Sequence, residues 1–241
     1  MSKLFKNKVV VVTGASSGLG EALSRQFVEN GAIVHMGARR TKNLETIAKE
    51  LNEKHGTKSK PDVAIAHYTD VTSYMMVDRL GKAVMNMHGK IDIWVNNAGG
   101  GAKGSILTMT EHEMDDIINL NMRSVLYGTK VAALVMKEQG YGDIMQILST
   151  SAFTPRPEEF AYCGAKAGAA LASASTRMEL KTYGIRVFNE NPGGMDTEFA
   201  KTAGLNTPPN AMNPNDIAKL LLYKLSLPRN VICDSNIYRN G

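Results

Sequence analysis

The chain has 241 residues, 43% of them hydrophobic and 21% charged, with a formal charge of +5; it is long enough to bury one large α/β core. Lysines and arginines are dispersed, with no basic run or basic–aromatic interleaving, so a solvated basic surface is expected rather than a nucleic-acid interface. Two cysteines, Cys163 and Cys233, are too few for a disulfide framework, no apolar run approaches the roughly 18 residues of a membrane span, and the five histidines fall in no ligand spacing; a cytoplasmic protein without metal or membrane contact is expected.

In chain order, the apolar run Val9–Val12 is too short for a signal-peptide core and reads as a first strand. Leu19, Ala22, Leu23 and Phe27 then share one helical face, and Gly31 ends that helix. Further strands are expected at Ile33–Met36, Val63–Ala66, Ile91–Val95, Ile144–Leu148, Ile185–Phe188 and Val231–Cys233. Their Val/Ile-rich runs do not alternate, as suits strands covered on both faces. Helical periodicity fits Leu44–Leu51, Tyr74–Met87, one long helix over Glu111–Met136, a helix opening near Pro157, and Pro214–Leu225. The alternation predicts a single-domain, doubly wound (Rossmann) α/β fold over residues 1–241, a parallel sheet of about seven strands with helices on both faces. Lys201–Asn213 is irregular, and residues 194–213 are expected to form a mobile substrate loop.

"VVVVTGASSGLGEAL" places Gly14, Gly18 and Gly20 between the first strand and the first helix. Without Cβ atoms the backbone can turn sharply there, and a pyrophosphate can approach the helix N-terminus, where free N–H groups and the helix dipole favour an anion. Together with Thr13, the G-x-x-x-G-x-G spacing resembles the "TGxxxGxG" signature of the short-chain dehydrogenases/reductases. The likeness recurs along nearly the whole chain. Asp70–Val71 resembles the pair that meets the adenine ring, "NNAG" (Asn96–Gly99) resembles the turn after the fourth strand, and "NPGGMDT" (Asn191–Thr197) resembles the nicotinamide-contacting motif. Asn121, Ser149, Tyr162 and Lys166 match the catalytic positions in order.

This resemblance implies a cofactor site built from Thr13, Gly14, Ser16, Ser17, Gly18, Leu19, Gly20, Arg39, Arg40, Asp70, Val71, Asn97, Ala98, Gly99, Tyr162, Lys166, Pro192, Gly193, Met195 and Thr197. An NAD-specific site of this architecture carries a carboxylate after the second strand, about 20 residues beyond the glycines. Here no carboxylate falls between Glu29 and Glu45, and Arg39 and Arg40 stand in its place. Guanidinium groups suit a phosphate dianion, so NADP(H) is expected over NAD(H), with Arg39 the stronger contact.

Tyr162 and Lys166 are four residues apart on one helical face. A carbonyl receiving hydride develops alkoxide character and needs a proton, and a nearby ammonium brings a phenol's pKa towards neutrality. Such a pair alone more often snorkels over apolar surface. Ser149 lies 13 residues before Tyr162, at the carboxyl end of a central strand, where it could orient the carbonyl; Thr150 and Ser151 are neighbouring candidates. Gln146 and Leu148 depart from the family's "NISS". The resemblance implies that Asn121 holds a water linking the active-site lysine to solvent.

The expected function is hydride transfer between nicotinamide and a small carbonyl or secondary-alcohol substrate, with Tyr162 as general acid/base. A catalytically silent NADP-binding sensor or scaffold is the competing class. Phe153, Met195 and Phe199 are expected on the substrate side, with Arg156 and Lys103 available to an acidic group. Relatives associate through small-residue helices like Gly164–Ser175, which implies a homodimer or homotetramer.

Overall fold

The chain folds around seven parallel strands: β1 (Val9–Thr13), β2 (Ile33–Ala38), β3 (Ala64–Tyr68), β4 (Ile93–Asn96), β5 (Gly142–Ile147), β6 (Ile185–Pro192) and β7 (Ser235–Ile237). They lie in the order β3-β2-β1-β4-β5-β6-β7. This computed structural model describes residues 3–239 except 102, 205 and 208; the ends of the expected 1–241 domain, and Leu205 and Pro208 of the expected loop, lie outside the described residues. The helices are α1 (Gly18–Glu29), α2 (Thr41–His55), α3 (Tyr74–His88), α4 (Glu111–Ile118), α5 (Ser124–Gln139), α6 (Phe160–Leu180), α7 (Glu198–Thr202) and α8 (Pro214–Ser226).

Strand alternation sorts the apolar residues into two layers. Val10, Val12, Val95, Met145 and Phe188 face one way and pack with Leu23 and Phe27 of α1, Leu44 and Leu51 of α2, and Leu221 of α8. Val9, Val11, Trp94, Ile144 and Val187 face the other way and pack with Leu80 and Val84 of α3 and Val131 and Met136 of α5. Because both faces are covered, the strands read as unbroken apolar runs. The order reverses between β1 and β4, so chain leaves these adjacent strands in opposite directions and opens a crevice at their carboxyl ends.

The structure departs from the sequence reading at four places. Expected as one helix, Glu111–Met136 is interrupted by a π-helical segment at Asn119–Arg123, where the Ser124 N–H reaches back five residues to the Asn119 carbonyl. The expected opening of α6 at Pro157 falls instead at Phe160: Glu158 adopts φ +61°, while its carbonyl accepts the Gly104 N–H and its carboxylate pairs with Lys103. Part of the segment read as irregular is helical, as α7. The last strand is Ser235–Ile237 rather than Val231–Cys233. Carbonyls ahead of it are taken by Arg186, which donates to Leu225, Leu227, Pro228 and Val231, and Asp234 pairs with Arg177 and accepts the Asn189 N–H.

The dispersed histidines also converge. His35, buried on β2, lies 2.8 Å from His67 Nε2 and 2.9 Å from His88 Nε2. Burial pushes His35 down to about 3, so it stays neutral, with one nitrogen donating and the other accepting. Among the described residues no three His, Cys, Asp or Glu side chains are grouped to hold a metal ion, and no helix is long and apolar enough to cross a membrane.

Arg186 and Asp143 form a two-pronged buried pair, with both contacts at 2.8 Å, and Arg229 adds a third contact to Asp143. Removing one partner leaves a charge buried without compensation. Asp143→Ala is expected to lower the unfolding free energy by about 3–5 kcal/mol, measured by urea denaturation.

Candidate active site

The site begins where β1 and β4 end. The Thr13 hydroxyl accepts the N–H groups of Asn97 and Ala98 at 3.1 and 3.2 Å. The Asn97 side-chain amide donates back to the Thr13 and Gly14 carbonyls at 2.9 and 3.2 Å. This clasp leaves no room for side chains in the glycine turn. A Cβ on Gly20 would lie 2.3 Å from the Gly14 carbonyl oxygen, and one on Gly14, at φ +66°, would lie 2.7 Å from the Ala98 Cα. The glycines thus serve close packing of the two turns as well as an open face above them.

Above the clasp is a cavity of about 640 Å³. Gly14, Ser16, Ser17, Gly18, Leu19 and Gly20 line one side, with Arg39 and Arg40 at its rim. Val71, Asn97, Ala98 and Gly99 follow, then Ser149, Tyr162 and Lys166, and finally Pro192, Gly193, Met195 and Thr197. Thr13, Asp70 and Asn121 do not line it. Thr13 is the clasp beneath the floor, and the Asp70 carboxylate accepts the backbone N–H and hydroxyl of Thr72; its neighbour Thr69 lines the cavity in its place.

The two arginines behave differently. Among the described residues the Arg39 side chain has no partner, whereas Arg40 donates to Ser16 Oγ at 3.1 Å, to Ser17 Oγ, and to the Glu198 carboxylate at 2.7 Å. Glu198, Glu159 and Thr69 are wall residues that sequence reasoning missed. Each is a near neighbour of a residue that a motif did mark (Asp70, Tyr162 and Thr197), but no motif says that these flanking side chains face the cavity.

Tyr162, Lys166 and Ser149 are all buried at the inner end. Ser149 caps the short turn Thr150–Ala152, its Oγ accepting the Ser151 N–H at 3.1 Å. Burial pushes the Tyr162 phenol up to about 12, against the opposing pull of the neighbouring Ser149 side chain. Burial also pulls the Lys166 ammonium down to about 8; it donates to the Ile147 carbonyl at 3.2 Å and lies 5.8 Å from the Tyr162 ring centroid. The phenol therefore carries its proton at neutral pH, beside a cation poised near neutrality. The Phe199 ring stands 5.9 Å from that of Tyr162 and walls the same space.

Asn121 sits in the π-helical segment and is fully buried. Its amide donates to the Gly100 carbonyl at 2.7 Å and the Ile117 carbonyl at 2.9 Å, while its Oδ1 accepts the Gly100 N–H at 3.2 Å. Here the side chain positions the turn after β4. Gln146, which departs from the family pattern, points away from the cavity. It joins a buried network with Asn96, Thr129 and, through Asn96, the indole N–H of Trp94.

A lysine whose pKa is lowered on folding binds fewer protons in the folded than in the unfolded state between about pH 8 and 10.5, so stability rises with pH across that window. Lys166→Met is expected to stabilise the fold by about 1–3 kcal/mol at pH 7 and to flatten the rise between pH 8 and 10, as read from urea midpoints at several pH values.

A family model described as short chain dehydrogenase matches residues 8–207. An uncharacterized oxidoreductase of Staphylococcus aureus (strain USA300) is 34% identical over 226 residues, 93% of this chain and 94% of that protein. An alcohol dehydrogenase from the archaeon Thermococcus sibiricus, complexed with 5-hydroxy-NADP, superposes with a TM-score of 0.87 at 28% identity, covering 97% of each chain. A metagenomic short-chain oxidoreductase in complex with NADP gives a TM-score of 0.85 at 26% identity over 99% of each chain. The chain belongs to the short-chain dehydrogenase/reductase family of oxidoreductases.

Proposed function

We propose that the protein is an NADP(H)-dependent reductase or dehydrogenase that interconverts a carbonyl and a secondary alcohol, with Tyr162 as general acid/base. One observation carries this reading: a buried, protonated phenol, with Ser149 beside it and the Lys166 ammonium 5.8 Å from its ring, faces the same cavity as a glycine turn rimmed by arginines. The residues suit the cofactor. The turn presents backbone N–H groups at the start of α1 to a pyrophosphate, Arg39 has its guanidinium unengaged, and no carboxylate ends β2. Bound NADP(H) supplies or takes the hydride. The NADP-bound relatives support the same choice.

Ser149 holds the substrate carbonyl oxygen beside the Tyr162 hydroxyl. As the carbonyl carbon gains hydride, its oxygen takes the phenolic proton; in the oxidative direction the phenolate takes the alcohol proton back. Lys166 lowers the cost of that phenolate electrostatically. Asn121 acts one step removed, by fixing Gly100 at the cavity wall.

On this reading both ligands are held by one domain. Met195, Phe199 and Arg156 line the substrate side of the cavity. The protein works in the cytoplasm as a homodimer or homotetramer.

Tyr162→Phe is expected to lower kcat by about 10²–10⁴-fold while NADP⁺ affinity by calorimetry stays within about threefold. Wild-type turnover in a chemistry-limited assay would remove Tyr162 from its role. Arg39→Ala is expected to raise the dissociation constant for NADPH about 10- to 100-fold and leave that for NADH nearly unchanged, as read by cofactor fluorescence titration.

A further inference from the structure

Arg40 does not point freely into the cavity. Its Nε is spent on Ser16, one terminal nitrogen on Ser17 and the other on the Glu198 carboxylate. Two carboxylates line the cavity among the described residues. Glu159 stands beside Tyr162, whose phenol feels its charge, whereas Glu198 stands at the arginine end, paired with Arg40 across 158 residues of sequence. This pair bridges the crevice from the glycine turn and α2 on one side to the first residue of α7 on the other.

We infer that Glu198 is a built-in stand-in for the 2′-phosphate of NADP(H): its carboxylate holds the Arg40 guanidinium that the phosphate would use, and the two anions compete for it. The inference rests on the NADP(H) reading above and assigns Glu198 as a specificity-determining residue. The chemistry is that of anion exchange on one cation. A phosphate dianion is the stronger partner for a guanidinium fork, but it must displace a carboxylate already 2.7 Å away or sit against its charge. Both partners are largely solvent-exposed, 48% and 59%, so each exchange is modest in size. An uncharged 2′-hydroxyl provokes no such competition. Glu198 therefore penalises NADP(H) and leaves NAD(H) nearly untouched, moderating a preference that Arg39 and Arg40 would otherwise make steeper. The same short helix carries Phe199 against Tyr162, so the element engaged by Arg40 also walls the acid/base.

The test is equilibrium binding of 2′,5′-ADP and 5′-AMP, which differ only in the 2′-phosphate, to wild type and Glu198→Gln by calorimetry, repeated with NADP⁺ and NAD⁺. The expected result is a gain of about two- to fivefold in affinity for the 2′-phosphorylated ligand, with the other ligand changed by less than about 1.5-fold, and loss of that gain in an Arg40→Ala background. An unchanged ratio, a parallel loss of both ligands, or a gain that survives without Arg40 would overturn the role of Glu198 and leave the NADP(H) reading standing. Equal binding of 2′,5′-ADP and 5′-AMP to wild type would instead overturn the NADP(H) reading, and this inference with it.

Discussion

Four hydrogen bonds between Thr13–Gly14 and Asn97–Ala98 join the ends of β1 and β4 into one floor. These adjacent strands send their chains to opposite sides of the sheet, which would leave a widening gap if their ends moved independently. With the gap clamped, the glycine turn on one side and the turn after β4 on the other become walls at a set separation. Everything above inherits that spacing. Gly100, held by Asn121, continues one wall; Ser149, at the end of the neighbouring strand, continues the row of strand ends. The glycines of the turn are therefore constrained from below, by the backbone of Gly14 and the amide of Asn97, as well as by any ligand above.

Much of this was legible in the sequence because parallel strands covered on both faces leave a strong apolar signature, and six of the seven lie where their Val/Ile runs placed them. The seventh was not, since a three-residue edge strand beginning Ser235–Asn236 has no apolar run. Its place follows from arginine contacts to carbonyls, which composition does not announce. Tyr162, Lys166 and Ser149 were legible through their spacing, and the glycine turn through its position after a buried strand. Glu198, Glu159 and Thr69 were not, because a motif marks its own positions and does not say which flanking side chains face the cavity. The histidines illustrate the same limit: His35, His67 and His88 have no meaningful spacing in the chain, yet parallel strands and a helix end bring their rings into one hydrogen-bonded row.

Burial works against ionisation at the inner end of the cavity and sets its character. The phenol of Tyr162 is pushed towards its neutral form, and the ammonium of Lys166 towards losing its charge. Neither shift favours the folded chain, since an isolated core would prefer apolar side chains at both positions. The arrangement keeps a proton on oxygen, next to a cation that makes its departure less costly. At the outer end the balance is opposite: Arg39 and Arg40 are exposed and charged, so their interactions are weaker individually and open to exchange. One cavity thus has a dry, proton-holding end and a wet, anion-holding end.

The π-helical segment at Asn119–Arg123 gives the run from α4 to α5 one more residue than its regular turns can accommodate. Each residue of an α-helix advances the face by about 100°, so the surplus resets which side chains look inward on either side of it. Ahead of it, Ile117 packs with Tyr162 and its carbonyl takes the Asn121 amide; beyond it, Val125 packs with Leu148 and α6, and Val131 and Met136 face the sheet. A single-residue deletion here would regularise the helix and swing one of these groups out of phase. The irregularity works as a phase adjuster, allowing one continuous rod to serve two masters with incompatible periodicities: the active-site wall and the hydrophobic core.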